Sequence, residues 1–369
     1  MNQSRIFFLD NLRAFVVFLV VVLHGSLTYM AFAPEWWYVL DPENSFFFTA
    51  VVLLVDVPIM QALFFIAGYF AYPSLAKRGS GAFIREKSIR IGLPWLVGVL
   101  LLAPPTAYMI YVSRGVPVSL GEFWTNEFWG PLYQQSVYWF LGILFLLFVL
   151  LGLAYAGSKQ VQNLAQRDAR PTWRLFAAFV ILMTAGFLLM NLFFPLDTWS
   201  HIYIFMFQPL RLALYAGYFL LGLYGYLRGW FTAGGYRPGW TWLLWFVVSG
   251  LLYLAYRVII PGPEQTTVLL KLGNAILFNV FCLSALLAAV RIFERRVNGS
   301  DRFWRSQSRN SYGIYYVHPL FLYPLAYFFV PVTMSVFLKA PLVIAIAWLL
   351  SWGFSALVLT RLPGLRRIF

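Results

Sequence analysis

Three ionisable residues, Asp10, Arg13 and His24, lie in residues 5–32, a stretch whose other residues are typical of a membrane-spanning helix. Ionisable groups are costly inside a bilayer, so each is a candidate functional residue by default. A helical rise of 1.5 Å per residue separates Arg13 from His24 by about 16 Å, which is about three turns. We therefore expect a guanidinium near one end of this helix and an imidazole deep in the membrane, on the same side.

A neutral imidazole can act as a general base near neutral pH, because its unperturbed pKa is about 6.5. Asp56 lies in the second apolar stretch, at a depth similar to that of His24. A carboxylate beside a histidine fixes the tautomer of the ring. We therefore predict that Asp56 orients His24; the alternative is that Asp56 bonds a backbone group before Pro58.

Two further polar residues lie inside apolar segments. His318 precedes Pro319, which has no N–H for the carbonyl one turn earlier, so that carbonyl needs another partner. His318 is therefore either functional or a structural hydrogen-bonding residue. Arg211 lies deep in another apolar segment and must pair with Asp56 or with a substrate.

The basic stretch "KRGSGAFIREKSIRIGLP" contains Arg85, Lys87 and Arg90. Guanidinium and ammonium groups suit a phosphate-bearing ligand. The alternative is that they only anchor a loop near anionic lipid headgroups.

Composition indicates the class of protein that carries these residues. Of the 369 residues, 61% are hydrophobic and 11% are charged, whereas soluble domains have about 25% charged residues. This favours an all-α, polytopic membrane bundle, forming one integral-membrane domain over residues 1–369. The net charge of +14 then reflects basic loops, and we expect the lipid bilayer and no nucleic acid as a partner.

Ten segments are near the length of about 20 residues that a spanning helix needs. Most of the 27 Lys and Arg residues fall in alternate connecting segments, which predicts that both termini are cytoplasmic and that the protein is a multi-pass protein of the cell (inner) membrane. The segments are 7–31, 46–72, 89–112, 137–157, 174–194, 203–227, 240–260, 267–291, 311–330 and 336–359.

Several chemistries lack their motifs in this sequence. No phosphate-binding loop of nucleotide hydrolases, no G-x-S-x-G and no H-E-x-x-H are present. Cys282 is the single cysteine and the three histidines are far apart. Hydrolysis of ATP, lipase chemistry and a metal site are therefore unsupported, and we expect no permanently bound cofactor.

Four motifs in order resemble those of transmembrane acyltransferase family 3. Arg5-x-x-x-Leu9-Asp10-x-Leu12-Arg13-Ala14, with ten residues between Arg13 and His24, resembles its first-span signature. "PIMQALFFIAGYFAYP" followed by "RIGLP" is similar to its second span and the turn into the third. "SVYWFLGILF" around Trp139 and "NSYGIYYVHPLF" around His318 resemble its fourth-span and late motifs. The second-span stretch is similar to the glucan-succinylating branch.

The resemblance implies an acyl-CoA-dependent O-acyltransferase that moves an acyl group, acetyl or succinyl, to a hydroxyl of a sugar, glycan or glycolipid. It implies His24 as the catalytic histidine, Arg13 as the essential first-span arginine and Arg90 as the basic residue before the third span. From their charges, Arg13, Arg85, Lys87 and Arg90 are the expected acyl-CoA-binding residues. Asp56 is expected to assist His24. Asp10, Trp139, Arg211, Tyr315 and His318 are expected to support the site or bind substrate. Acyl-CoA would be a co-substrate, and a separate glycan synthase or periplasmic transferase is a further expected partner.

Two mechanisms and two rival functions remain open at this point. His24 could deprotonate the acceptor hydroxyl directly, or it could be acylated and pass the group on. A transporter or flippase for a glycan or lipid precursor would also need about ten spans and buried ions. A non-catalytic membrane partner of a glycan synthase is the third interpretation.

Overall fold

The computed structural model describes residues 6–130, 132–232 and 234–369; Arg5 of the first-span motif lies outside them. Long helices make up most of this part of the chain. They are α1 (Phe7–Tyr29), α2 (Phe46–Arg78), α3 (Ser80–Arg114), α4 (Trp139–Gly157), α5 (Trp173–Asn191), α6 (Leu212–Leu227), α7 (Thr241–Ile259), α8 (Val268–Arg296), α9 (Arg302–Phe329) and α10 (Val336–Phe354).

Within the described ranges, nine of these helices are long and apolar enough to cross a membrane, α9 being the exception. α9 has sufficient length, but residues 312–329 contain five tyrosines, one histidine and two prolines, which make this helix less apolar than the others. The prediction of an all-α, polytopic membrane bundle is therefore confirmed. Each of the ten predicted segments overlaps one long helix.

Two predicted boundaries are wrong for identifiable local reasons. α9 begins nine residues earlier than predicted, because the Asp301 side chain accepts a hydrogen bond from the Trp304 N–H at 3.0 Å and caps the helix. The predicted sixth span began at residue 203, but that region forms an antiparallel hairpin of β1 (Ser200–Ile202) and β2 (Phe205–Phe207).

The chain forms two compact units, and the first contains residues 6–13, Val57–Lys87 and Ile143–Ser300. Within it, α2 and α6 approach closely at two glycines. A Cβ at Gly68 or at Gly222 would collide with the backbone of the opposite helix. Small residues of this kind allow close packing of membrane helices.

The second unit contains Ala14–Asp56, Ser88–Gly142 and Asp301–Phe369. Its α9 and α10 pack against each other, and Trp352 Nε1 donates a hydrogen bond to Ser306 Oγ at 3.1 Å. Ser355 Oγ donates to the side-chain oxygen of Asn310 at 3.0 Å. Both histidines of the spanning segments, His24 and His318, belong to this unit.

Helix α3 is held to α9 through two of its backbone carbonyls. α3 contains π-helical turns at Ser88–Gly92 and Gly98–Leu102. Pro94 has no N–H to donate to the Arg90 carbonyl. Two tyrosines of α9 donate to α3 here: the Tyr312 hydroxyl to the Arg90 carbonyl at 2.8 Å, and the Tyr316 hydroxyl to the Pro94 carbonyl at 3.0 Å.

Candidate active site

The candidate site is a pair of histidines from distant parts of the sequence. Nδ1 of His24, on α1, lies 2.8 Å from Nε2 of His318, on α9. The two rings are stacked, with centroids 5.1 Å apart and an interplanar angle of 8°. The helices α1 and α9 of the second unit therefore bring together two of the three histidines of the chain.

Pro319 determines which nitrogen of His318 carries the proton. The proline cannot donate to the carbonyl of Tyr315, four residues earlier. Instead, His318 Nδ1 lies 2.7 Å from that carbonyl. A carbonyl oxygen only accepts hydrogen bonds, so Nδ1 of His318 must carry the hydrogen, and in a neutral ring Nε2 is then the acceptor.

The tautomer of His24 follows from that of His318. Because Nε2 of His318 accepts, Nδ1 of His24 must donate across the 2.8 Å contact. The remaining nitrogen of His24, Nε2, then has an unprotonated lone pair. That nitrogen can accept a proton or attack an electrophile, whereas the Nδ1 side of the ring is occupied.

The two rings differ in exposure in a way that suits different roles. His318 is completely buried, with 0% of its surface exposed. His24 is half-buried. We infer that His24 is the ring that can meet a substrate and that His318 holds it from behind.

Tyrosine side chains fix the segment of α9 that carries His318. The Tyr315 hydroxyl donates to the carbonyl of Val137, and the Tyr138 hydroxyl donates to the carbonyl of Tyr316 at 3.0 Å. The loop before α4 and the segment of α9 around His318 thus each donate one tyrosine hydroxyl to a backbone carbonyl of the other. Such contacts limit movement of the buried imidazole.

An aromatic cluster from the loop between α1 and α2 contacts the histidine pair. The Trp37 ring lies 5.7 Å from the His24 ring, tilted by 35°, and Trp37 Nε1 donates to Thr28 Oγ1 at 3.4 Å. The neighbouring Tyr38 stacks on Tyr323 at 4.2 Å. Burial raises the pKa of the Tyr38 hydroxyl above its usual range.

Two cations hold this loop in place. Lys339, near the start of α10, pairs with Asp41 at 3.0 Å, and both side chains are almost fully buried. Arg114, at the end of α3, donates to the carbonyls of Glu35 and Trp37 at 2.5 and 2.9 Å. The indole beside His24 is therefore positioned from both α3 and α10.

The structure gives His24 a partner other than the predicted carboxylate, because His318 occupies its Nδ1 side. Asp56 is half-buried in α2. Its predicted role in orienting His24 stays a prediction.

The predicted donor-binding residues occupy two helices. Arg13 forms an ion pair with Asp10 at 3.3 Å, one turn away on α1. On α3, Arg85 and Arg90 are exposed, whereas the Lys87 ammonium lies over the Phe148 ring at 4.8 Å. Arg85 and Arg90 are therefore accessible to solvent, and Lys87 is partly covered by an aromatic ring.

The remaining predicted residues are buried. Tyr315, with 4% of its surface exposed, supplies the carbonyl that binds His318. Trp139 is 9% exposed at the start of α4. Arg211 is 7% exposed in the first unit, with its guanidinium 5.4 Å from the Phe278 ring centre.

Sequence reasoning missed Trp37, Asp41 and Lys339. A lysine inside the apolar stretch "VFLKAPLV" was a usable signal, because a buried ammonium requires a partner. Nothing in the sequence pattern indicates that Trp37, one of 15 tryptophans, would lie beside the ring of His24.

Comparisons with known proteins identify the family of the chain. The family model described as "Acyltransferase domain" matches residues 6–355. Glucans biosynthesis protein C of Escherichia coli (strain K12) is 30% identical over 112 residues, which are 30% of this chain and 28% of that protein. The protein of the same name from Escherichia coli strain 536 is 27% identical over 143 residues, or 38% and 36% of the two chains.

The chain thus spans between 28% and 36% of the length of these two curated relatives. No solved structure matches it. The family match, in contrast, covers almost the whole sequence, including both histidines of the pair and the helices that position them. The chain therefore belongs to the acyltransferase domain family, as a membrane-embedded, multi-pass member.

Proposed function

We propose that the protein is an acyl-CoA-dependent O-acyltransferase of the cell (inner) membrane, acting on a hydroxyl of a sugar, glycan or glycolipid. The observation that carries this proposal is the hydrogen-bond chain from the Tyr315 carbonyl through His318 to His24. It leaves Nε2 of His24 unprotonated inside a chain of the acyltransferase family.

The first step is proton removal from the acceptor. The acceptor hydroxyl donates its proton to Nε2 of His24 as its oxygen attacks. The ring then becomes an imidazolium, and its Nδ1–H bond to His318 becomes charge-assisted, which strengthens it. His318 therefore stabilises the charged form of His24 more than the neutral form, as catalysis requires.

The second step breaks the thioester. The hydroxyl oxygen forms a bond to the acyl carbonyl carbon, and the carbon–sulfur bond of acyl-CoA breaks with its electron pair going to sulfur. The proton held on His24 Nε2 passes to the leaving thiolate. The products are an O-acyl ester and the free thiol of CoA, and the ring returns to its starting tautomer.

A covalent relay would use the same nitrogen. In that route Nε2 attacks the thioester, and the acyl-imidazole then passes the group to the acceptor. Rapid denaturing quench followed by mass spectrometry of the protein should find an acyl group on His24 in the relay and none in direct transfer. The tautomer assigned to His24 is needed in both routes, since both start from an unprotonated Nε2.

Cations on two helices are the proposed contacts for the anionic head of acyl-CoA. Arginine binds phosphate oxygens in a bidentate manner, and Arg85 and Arg90 expose their side chains on α3. Arg13 is held by Asp10 at 3.3 Å, which orients its guanidinium. We infer that Arg13, Arg85, Lys87 and Arg90 contribute to donor binding.

The relatives suggest the acceptor. Two proteins that this chain resembles are named for glucan biosynthesis, so we infer a glucan or a related glycan as the acceptor. Acetyl and succinyl are the proposed acyl groups.

The decisive experiment compares two histidine variants in reconstituted vesicles. With labelled acetyl-CoA or succinyl-CoA and a soluble glucan, His24→Ala should abolish release of CoA and labelling of the glucan. His201→Ala is the matched control, because His201 is the third histidine and lies exposed on the hairpin. Retained transfer in His24→Ala, or movement of glucan across the membrane without CoA release, would contradict the proposal.

A further inference from the structure

Three arginines surround a buried carboxylate in the first unit, where α7 begins and α8 ends. The Glu294 side chain is 4% exposed. Its Oε1 accepts a hydrogen bond from Arg237 Nη1 at 2.6 Å, and its Oε2 accepts one from Arg291 Nη1 at 3.1 Å. Nε of Arg295 lies 3.7 Å from the same Oε2. We call Glu294 and these three residues the arginine cluster.

The arginine cluster has more cationic donors than its carboxylate uses. Both oxygens of Glu294 already accept a hydrogen bond, and 3.7 Å is too long for Arg295 to form another. A guanidinium carries five N–H groups, and the side chains of Arg237 and Arg295 are 45% and 56% exposed. In the described part of the chain, Glu294 is the one carboxylate that pairs with these arginines. Two guanidiniums held at one point of the surface can therefore donate to an anion.

Tryptophan side chains indicate the depth of the arginine cluster in the membrane. The Arg291 guanidinium lies over the Trp240 ring, 5.0 Å from its centroid. Trp240, immediately before α7, is 46% exposed, and Trp242 and Trp245 follow it. Because tryptophan is enriched where lipid headgroups meet the hydrocarbon, we place the arginines at the level of the headgroups.

An exposed apolar stripe on α7 starts at this tryptophan. Leu244, Val248 and Leu251 follow Trp240 at helical spacings of three or four residues, so the four side chains share one face. They are 40–66% exposed. From Trp240 to Leu251 the stripe is about 16 Å long, close to half of the bilayer's hydrocarbon thickness of about 30 Å. It therefore matches the length of a lipid acyl chain in one leaflet.

We propose that the arginine cluster binds the phosphate of an anionic phospholipid, whose acyl chain lies along the α7 stripe. Arginine binds phosphate oxygens in a bidentate manner, and basic groups between transmembrane helices bind lipid headgroups. Glu294 holds the guanidiniums in position before the lipid arrives, which lowers the entropic cost of binding. A zwitterionic headgroup would place its own ammonium among the guanidiniums, so the site should prefer an anionic lipid.

The stripe distinguishes a lipid from a soluble phosphate compound. Inorganic phosphate or coenzyme A could reach the same N–H donors, but neither would cover the apolar face that begins at Trp240. A phospholipid engages the cluster and the stripe together. The proposal uses neither His24 nor the residues proposed to bind acyl-CoA, so it is independent of the proposed function.

The test is native mass spectrometry of the full-length protein released from nanodiscs that contain equal amounts of phosphatidylglycerol and phosphatidylcholine with the same acyl chains. The wild-type protein should retain phosphatidylglycerol in preference to phosphatidylcholine. The double variant Arg237→Gln/Arg295→Gln should lower the ratio of the two bound lipids at least about tenfold, as expected when a hydrogen bond to a charged group is lost. This variant keeps the Arg291–Glu294 pair, so the buried carboxylate retains a partner.

Arg174→Gln/Arg296→Gln is the matched control. It removes the same number of charges, and Arg296 is the exposed neighbour of Arg295 on α8. The control should keep the wild-type lipid ratio. Arg295→Gln alone replaces the double variant if that one does not fold, since its 3.7 Å contact is not a hydrogen bond. His24→Ala should also keep the ratio, which separates this proposal from acyl transfer.

The source of the phosphate is tested by competition. Millimolar inorganic phosphate or coenzyme A should not displace the retained phosphatidylglycerol. Displacement by either compound would overturn the assignment to a lipid. The proposal also fails if the wild-type protein retains both lipids equally, or if the control variant lowers the ratio as much as the cluster variant does, because the effect would then reflect net charge alone.

Discussion

Replacing His318 with leucine tests the role of the histidine pair most directly. The substitution removes the acceptor for Nδ1 of His24 while filling the buried space with an apolar side chain of similar length. The donor facing it is left without a partner. His318→Gln is the matched variant, because its side-chain oxygen can take the place of Nε2 as an acceptor.

The magnitude follows from the charge that develops on His24. A hydrogen bond to a charged group contributes about 1.5–3 kcal/mol, and at about 1.36 kcal/mol per tenfold in rate this is about 10- to 150-fold in kcat. A complete change of tautomer would cost more; in a serine protease that error costs about ten-thousandfold. We expect the decrease in kcat to lie between these values, from about 10-fold to about ten-thousandfold. The KM for acyl-CoA should stay unchanged.

The assay combines steady-state transfer with nitrogen-15 NMR of histidine-labelled protein. Three histidines give few signals, and each can be assigned by its own variant. The wild-type spectrum should show His24 protonated on Nδ1, and His318→Leu should add the Nε2–H form. An Nε2–H tautomer in the wild type, or an unchanged kcat in His318→Leu, would refute the reasoning.

Three further predictions concern the residues around the pair and the helix packing. Lys339→Met should destabilise the protein by about 3–5 kcal/mol, because it leaves the Asp41 carboxylate buried and unpaired. The double variant with Asp41→Asn should recover part of this stability, as measured by thermal denaturation. Gly222→Ala should cost at least about 1–3 kcal/mol in the same assay, because its Cβ meets the Phe65 carbonyl, whereas Gly353→Ala, with open space around it, should not. Pro319→Ala should lower kcat without lowering stability, because the new N–H competes for the carbonyl that binds His318.

The sequence was sufficient to predict the helices and to select His24 as a candidate functional residue. Apolar segments of spanning length predicted every long helix, since this signal depends only on local composition. His24 was identifiable because a titratable group inside such a segment requires a reason. Local capping and turn formation, at Asp301 and in the hairpin, account for the boundary errors.

The partner of His24 was not predictable in the same way. His318 is 294 residues away, and its side chain reaches His24 only because α1 and α9 pack with particular faces together. The role of Asp56, argued from depth alone, stays a prediction. Trp37 depends on a loop whose conformation is set by Asp41 and Lys339, a contact between residues 298 apart.

One part of the site was nevertheless present in the sequence as a local rule. A proline leaves the carbonyl four residues earlier without its helical donor, and the chain uses such carbonyls twice in α3 and α9. The Arg90 carbonyl, freed by Pro94, accepts from Tyr312 and ties the helices together. The Tyr315 carbonyl, freed by Pro319, accepts from His318 and so decides which nitrogen of His24 is basic. The dipeptide His318-Pro319 therefore determines the protonation of a ring on another helix, so a histidine followed by proline in a spanning segment indicates a fixed tautomer.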